Sequence, residues 1–495
     1  MPRLTPKSWL LAGRFIALVF AGIVSAFAQI RPNIIFIMTD DHAVSALGAY
    51  GNALVRTPTL DRIAAQGVRF DRAFVTNSLC APGRAAVLTG TYSHVNGVRG
   101  NSEATDAIEH LDPKLPTFPQ LLQRAGYATA IVGKWHLSDP PTGFDYSCVL
   151  PGQGLYFDPD FIENGVRRKI PGYASDIVRD LALGWLEKQS ATKPFLLVFQ
   201  HKAPHRPFQP PPRHARLYAD RDLPYPATFD DDYATRKVAA EAEDMRFDTS
   251  LAGDYPELPA GLTPAEKKRW LYQRFVKDYY GAIAGVDDSV EALLADLKRR
   301  GWLENTVIVY TSDNGFFVGD HGWYDKRYMY EPSFRVPLLV QAPGARKGGV
   351  IDAMAMNIDI APTLLDYAGI VAPRSMQGRS LRPLIEGRTP PDWRKSVYYS
   401  YYENSWALLA GKDKSAQSDP SFQYLTPHRV GPHRGVRTAT HKLIEYYSDA
   451  GYWELFDLTK DPNELKNLYG QPGTERITRE LKEELLRLRR QFGDI

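Results

Sequence analysis

Four short apolar runs along the chain each stop at a cluster of charged or ligating side chains. "PNIIFIMTDD" gives way to Asp40 and Asp41, "TAIVGKWHL" to Lys134 and His136, "PFLLVFQHKAPH" to His201, Lys202 and His205, and "TVIVYTSDNG" to Asp313 and Asn314. Runs of this length, rich in β-branched side chains, predict buried strands. Between them "TPTLDRIAAQGVRF", "TFPQLLQRAGY", "ASDIVRDLALGWLEKQ" and "YYGAIAGVDDSVEALLADLKRRG" carry helical patterns, the last stopped by Gly301. Continuous apolar strands alternating with helices predict an α/β fold, a mostly parallel sheet sandwiched by helices. Ligands of such sheets bind beyond the carboxyl ends of the strands, so four polar endings predict one site.

Each ending has a plainer reading. Asp-Asp commonly caps a helix or solvates a turn, Asp-Asn-Gly is a turn signal, and Lys or His after a strand is usually a surface residue. Their recurrence at four strand ends is what favours a site.

The pattern changes near Pro373. "VAPRSMQGRSLRPLIEGRTPPDW" is rich in Pro, Gly and Arg, and the short strand patterns "KSVYYSYYE", "HRGVRTATHKLIEYYS" and "GYWELFDLTKDPNELKNLY" follow it. With the terminal helix "TERITRELKEELLRLRRQF", these predict a smaller C-terminal subdomain over 373–495, an antiparallel sheet packed by one helix. A catalytic domain is expected over 29–372.

The first 28 residues read as a signal peptide: a basic start, an apolar core and a small-residue cleavage site at Ala26-Phe27-Ala28. No later segment is apolar and long enough to span a bilayer, so the expectation is a periplasmic or secreted protein without stable membrane insertion. The net charge of +3 comes from Arg3, Lys7 and Arg14 of the leader; past it, 57 basic residues face 57 acidic ones. That balance leaves no footprint for nucleic acid. The aromatic content of 12% suits sugar stacking, and core packing accounts for it equally well. In an oxidising compartment Cys80 and Cys148 could form a disulfide.

If the strand ends converge, electrostatics asks for a cation. Two carboxylates about 4 Å apart repel by roughly 4 kcal/mol at an effective dielectric near 20, so Asp40, Asp41 and Asp313 need a counter-charge. With Asn314 they form a hard oxygen set that favours calcium, then magnesium, over zinc. In "SLCAPGRAAVLTG", Pro82 suits a first helical turn and Gly90 a stop, which places Cys80 at a helix start, an anion-favouring position within reach of the Arg84 fork.

Cys80, Pro82, Arg84, Thr89 and Gly90 together resemble the signature of the type I sulfatases, Cys-x-Pro-x-Arg followed by Thr-Gly. The resemblance extends to Asp40 and Asp41, "GKWHL", "APH", "SDNG" and "DKRYMYE"; Gly83 stands where the family often has Ser or Ala. It implies that a formylglycine-generating enzyme oxidises Cys80 to Cα-formylglycine before folding, so that Cys80 needs no disulfide partner. The hydrated aldehyde then attacks sulfur, the alcohol leaves, and the second hydroxyl expels sulfate. It further implies that residue 80 joins Asp40, Asp41, Asp313 and Asn314 at the metal, and that Arg84, Lys134 and Lys326 screen sulfate charge. His205 is expected to protonate the leaving alcohol and His136 to hold or deprotonate the diol; a histidine near its usual pKa of about 6.5 can do either.

The loops around Gln153 and His205 resemble those of bacterial N-acetylglucosamine-6-O-sulfatases. They imply an exo-acting enzyme on a sulfated carbohydrate, with Gln153 a substrate contact. His321 lines the site or caps a turn; His94 is expected to order the loop behind residue 80. Glu403, His433 and Arg434 are candidate sugar contacts, with solvated loop residues as the plainer reading. Two alternatives stay open: another regiospecificity, on an algal polysaccharide or glycosaminoglycan, and a non-catalytic sulfated-glycan binder. A phosphatase relative would need a Thr or Ser nucleophile and a His-rich two-zinc site, which this set lacks.

Overall fold

Alternation along the first strand explains why the sheet is covered on both faces. In the computed structural model, which describes residues 31–101, 109–403, 430–447 and 451–495, β1 (Asn33–Asp40) turns Ile34, Phe36 and Met38 to one face and Ile35 and Ile37 to the other. The first set packs with Ala86, Val87 and Leu88 of α1 (Cys80–Thr89) and with Phe118 and Leu122. The second packs with Ala182 and Leu186 of α2 (Ala174–Leu186) and with Val286, Val290 and Leu293 of α3 (Pro264–Arg299). A strand buried on both sides has no polar positions to alternate, hence the uninterrupted apolar runs.

The remaining strands of this sheet are β2 (Val68–Phe70), β3 (Ala128–Lys134), β4 (Tyr146–Leu150), β5 (Asp160–Glu163), β6 (Val166–Lys169), β7 (Phe195–Pro204), β8 (Thr306–Ser312), β9 (Leu338–Gln341) and β10 (Gly349–Ile351). Their order is β10-β2-β9-β8-β1-β7-β3-β4-β5-β6. The central five, β8-β1-β7-β3-β4, are parallel, with Ile34 opposite Leu196 and Asn33 opposite Thr306. Beyond them, β9 runs antiparallel to β8, and β5 to β4. The four polar endings belong to the adjacent strands β8, β1, β7 and β3, so they leave the sheet side by side at one edge.

α3 begins fifteen residues before the sequence pattern places it. Thr263 and Glu266 form a capping box: the Glu266 N–H donates to Thr263 Oγ1 (3.3 Å) and the Thr263 N–H to Glu266 Oε2 (2.8 Å). Its first half packs Leu271, Phe275 and Val276 against Phe208, Phe247 and Phe316 in a separate cluster, away from the sheet.

The C-terminal antiparallel sheet is present as expected: β11 (Ser396–Tyr401), β12 (His433–Thr438), β13 (His441–Tyr446) and β14 (Tyr452–Asp457), in that order. The amphipathic α4 (Glu475–Phe492) buries Leu481, Leu485 and Leu488. The expected leader lies outside the described residues, and no helix among those described is long and apolar enough to cross a membrane. Cys80 and Cys148 are both free thiols, so the disulfide alternative is not realised.

Candidate active site

Carboxylates from two adjacent strand ends meet above the sheet. Oxygens of Asp40, Asp41 and Asp313 lie within 4.8 Å of one another, all buried. Asp313 Oδ1 accepts from the backbone N–H of Asp41 (3.2 Å) and of Asn314 (3.0 Å), while Asp313 Oδ2 accepts from Arg84 Nε (2.9 Å). Asn314 Nδ2 donates to Asp41 Oδ1 (2.7 Å) and Gly315 O (2.9 Å), which leaves its buried Oδ1 with no hydrogen-bond partner. Three carboxylates and one orphaned amide oxygen converging in a buried pocket fit a hard divalent cation. Asp41 adopts a left-handed backbone (φ 65°), an uncommon state for a non-glycine residue and one that recurs at functional sites.

Cys80 occupies the first turn of α1 in the same pocket. Its Sγ faces Asp40 Oδ1 (3.4 Å) and accepts from Lys326 Nζ (3.1 Å). Burial and the neighbouring Asp40 push the thiol well above its usual pKa against the opposing Lys326. As encoded, Cys80 is a neutral thiol and a poor nucleophile. Gly83 lets the helix lie close: a Cβ there would stand 2.2 Å from the Asp313 carbonyl oxygen.

Cations frame the cluster. Lys134 Nζ bonds Asp40 Oδ2 and Gln153 Oε1 (2.5 Å), and Lys326 Nζ bonds Asp41 Oδ1 (2.5 Å). Arg84 is committed to Asp313, the Lys134 carbonyl (2.8 Å) and Gln200 Oε1 (2.9 Å). Burial raises the Asp40 carboxyl, but Lys134, His205, Arg84 and Lys326 outweigh it and hold the group well below its usual range. Asp313 goes the other way, pushed up to about 7 by burial and Asp40 with Arg84 opposing. His205 faces Asp41 Oδ2 across 3.6 Å through Nε2, while Nδ1 lies 2.8 Å from the Arg206 carbonyl. A carbonyl can only accept, so Nδ1 carries the proton and Nε2 is the exchanging atom. Burial lowers the His205 pKa well below its usual value.

Residues 32–370 match the family described as Sulfatase, and residues 404–491 the one described as N-sulphoglucosamine sulphohydrolase, C-terminal. The chain belongs to the sulfatase family. It is 40% identical to the N-acetylglucosamine-6-O-sulfatase of Bacteroides thetaiotaomicron, an alignment covering 94% of this chain and 87% of that one. The N-acetylglucosamine-6-sulfatase of Homo sapiens is 29% identical over 91% of this chain and 84% of its own. A solved structure, of a protein in complex with its substrate D-glucosamine-2-N,6-O-disulfate, superposes with a TM-score of 0.83 at 38% identity, covering 94% of this chain and 98% of that one.

In this sulfatase the contacts join Asp40, Asp41, Cys80, Arg84, Lys134, Gln153, His205, Asp313, Asn314 and Lys326 into one cluster. His136, also left-handed (φ 54°), lines an adjoining cavity of about 220 Å³ with Ala81, Glu109, Ser138 and Gly152. Glu403 lies one step from α1: its Oε1 accepts from the Asn101 N–H (2.6 Å), and Asn101 Oδ1 accepts from the Ala81 N–H (3.0 Å). The other candidates make contacts elsewhere. His321 pairs with Asp231 (2.7 Å), Arg434 with Glu445 (2.6 Å), and His433 is enclosed by Tyr399, Tyr401 and Tyr446. His94 faces Tyr402 (3.2 Å) and the Phe492 carbonyl (2.8 Å), tying the segment after α1 to the end of α4.

Sequence reasoning passed over Lys202, although it stands in the third polar ending. Its buried Nζ donates to the Arg206 carbonyl (3.1 Å) and lies 5.1 Å from the centre of the Tyr156 ring, whose hydroxyl donates to the His205 carbonyl (2.6 Å). Burial and the neighbouring Lys134 bring its pKa down to about 7. The signal was the buried strand end itself, where a lysine has no solvent to reach.

Proposed function

We propose that this sulfatase is exo-acting and removes the 6-O-sulfate of a terminal N-acetylglucosamine. The observation that carries the reading is the 40% identity, over nearly the whole chain, to an N-acetylglucosamine-6-O-sulfatase; the substrate named for the structural relative supports it. In this reading a formylglycine-generating enzyme converts Cys80 to Cα-formylglycine, whose hydrate supplies the attacking hydroxyl. Full burial of Cys80 agrees with modification before folding, since the folded chain offers the thiol to no other enzyme. Calcium held by Asp40, Asp41, Asp313, Asn314 and the modified residue 80 would neutralise the carboxylates and polarise the ester.

The chain's own groups account for the rest. Lys326, already 3.1 Å from the side-chain atom of residue 80, and Lys134 across the cluster are placed to hold sulfate oxygens. Arg84, spent on Asp313 and two oxygens, fixes a metal ligand and offers its remaining face to the anion. A primary sugar alcohol leaves poorly as an alkoxide, and His205, once protonated at Nε2 against the cost of its burial, is the group that gives it a proton. His136 holds the nucleophile from the side of the 220 Å³ cavity, which with Gln153 receives the sugar. We place the catalytic domain at 29–372 and the smaller subdomain at 373–495, and assign residues 1–28 to export into the periplasm or beyond.

Sulfate release from a panel of sulfated monosaccharides tests the reading. The 6-O-sulfate of N-acetylglucosamine should be cleaved and 2-O- or 4-O-sulfates left intact; the reverse selectivity would overturn the assignment, and binding of all without release would leave a glycan-binding protein.

A further inference from the structure

We propose that an arginine-lined cavity between the main sheet and the C-terminal sheet is a second anion site, which takes a sulfate group borne by the glycan outside the scissile position. The cavity is open, measures about 340 Å³, and is lined by Arg69, Arg72, Arg335 and Arg437 against only two acids, Asp71 and Asp352. Two of the four guanidinium groups are spent. Arg69 pairs with Asp71 (2.6 Å) and lies over the Tyr50 ring; Arg437 donates to the Thr438 carbonyl (2.8 Å) and reaches Glu331 (3.3 Å). The side chains of Arg72 and Arg335 have no hydrogen bond or ion pair among the described residues. Arg335 also lines a neighbouring cavity beside Glu331, whose charge it attracts. Two planar forks without a hydrogen-bond partner on one polar cavity still offer the donors that a tetrahedral oxyanion accepts from, and the net positive lining excludes a cation.

The position fits a chain that continues past the catalytic pocket. Tyr50, which lines the cavity, accepts from the Leu338 N–H (2.9 Å) and donates to the Phe70 carbonyl (3.0 Å). Leu338 pairs with Thr311 near the end of β8, the strand that delivers Asp313 and Asn314. Arg72 and Asp352 follow β2 and β10, which run in the direction of β8, so the cavity lies at the same end of the sheet as the catalytic cluster, beyond β8 and β9. Arg335 itself bridges Phe74, six residues before Cys80.

The inference rests on the proposed function only for the choice of a glycan as carrier. It is tested with the full chain left unmodified at Cys80, so that ligand is bound and not consumed, by calorimetry with a multiply sulfated oligosaccharide at low salt. The pair R72A/R335A should bind about tenfold or more weaker, the loss expected for about 1.4 kcal/mol or more of charge-assisted bonding. Its melting temperature should stay close to the parent's, because both side chains are partly exposed and make no hydrogen bond, and Arg335 gives up only its attraction to Glu331. In modified enzyme, turnover of a sulfated monosaccharide should be unchanged while KM for the oligosaccharide rises. Undiminished oligosaccharide binding by the folded pair, or by the single variants R72A and R335A should the pair unfold, would overturn the site. Inorganic sulfate binding the parent as tightly as the oligosaccharide would overturn the glycan assignment. Failure of the parent to cleave the monosaccharide would count against the proposed function and leave the binding arm readable.

Discussion

At the scale of single residues, the geometry of His205 separates two tasks that sequence leaves joined. The Arg206 carbonyl fixes the proton on Nδ1, so Nε2 is the only ring atom free to serve the leaving oxygen. An alkoxide leaving group needs a proton, which His205 gives from Nε2 only as the imidazolium, and an activated phenolate does not. His205→Ala should therefore cut kcat on a sugar 6-sulfate by about a hundredfold or more while slowing an activated aryl sulfate far less. Equal losses on both substrates would remove His205 as the acid. Lys202 acts one step back, since its ammonium and the Tyr156 hydroxyl hold the two carbonyls of the His205–Arg206 turn. Lys202→Met should reproduce the leaving-group dependence of His205→Ala in weaker form, with Lys202→Arg restoring part of it. Loss of aryl sulfatase activity to the same extent would assign Lys202 to sulfate binding instead.

At the scale of elements, the legible features were those written locally. β1, β3, β7 and β8 are apolar runs bounded by their own polar endings, and Pro82 and Gly90 bracket α1, whose C-cap Gly90 takes a left-handed φ of 66°. The first half of α3 was hidden because "PAEKKRWLYQRFVKDYYG" packs its aromatic residues on a separate cluster and faces the rest to solvent, so its apolar spacing does not match a helix lying on a sheet. Hidden too was the destination of side chains set by distant partners. His321 belongs to Asp231, and Lys442 of β13 sits between Glu331 (3.0 Å) and Glu464 (2.6 Å), tying the C-terminal sheet to the short helix Glu331–Phe334 through a buried ionic group. Burial pushes Glu464 up to about 7 with Lys442 opposing, whereas at Glu331 the pull of Lys442 and Arg437 overcomes burial and lowers it to about 2. Because the folded pKa of Glu464 lies above its ordinary 4.5, its protonated form favours folding. That contribution is complete below about 4.5 and lost as pH rises through about 7. Glu464→Gln can still accept from the Glu331 N–H through its amide oxygen and removes the titration. Urea midpoints measured across this window should fall for the parent relative to the variant as pH rises; parallel curves would refute the shift.

At the scale of the whole molecule, the catalytic cluster is also a strain on the fold that a cation relieves. β1 and β8 lie at the centre of the ten-stranded sheet, and their ends bring three buried carboxylates within 4.8 Å. Lys134, Lys326 and Arg84 face those carboxylates, yet burial, with Asp40 adding to it, still raises Asp313 to about 7. A divalent cation that binds the folded chain alone must raise its stability, by about 2.7 kcal/mol at a free concentration a hundred times Kd. Melting curves of chelator-treated protein should therefore shift upward on titration with calcium, and less with magnesium, whose small rigid octahedral shell suits this crowded set poorly. Asp313→Ala should abolish the calcium-dependent shift along with sulfate release, because it removes one ligand and frees Arg84 from its partner. The melting readout needs no turnover and no formylglycine, so it tests the metal site apart from the chemistry. A calcium-independent melting temperature in the parent, or a zinc-specific shift, would show that the oxygen set from Asp40 to Asn314 is not the hard-cation site its geometry describes.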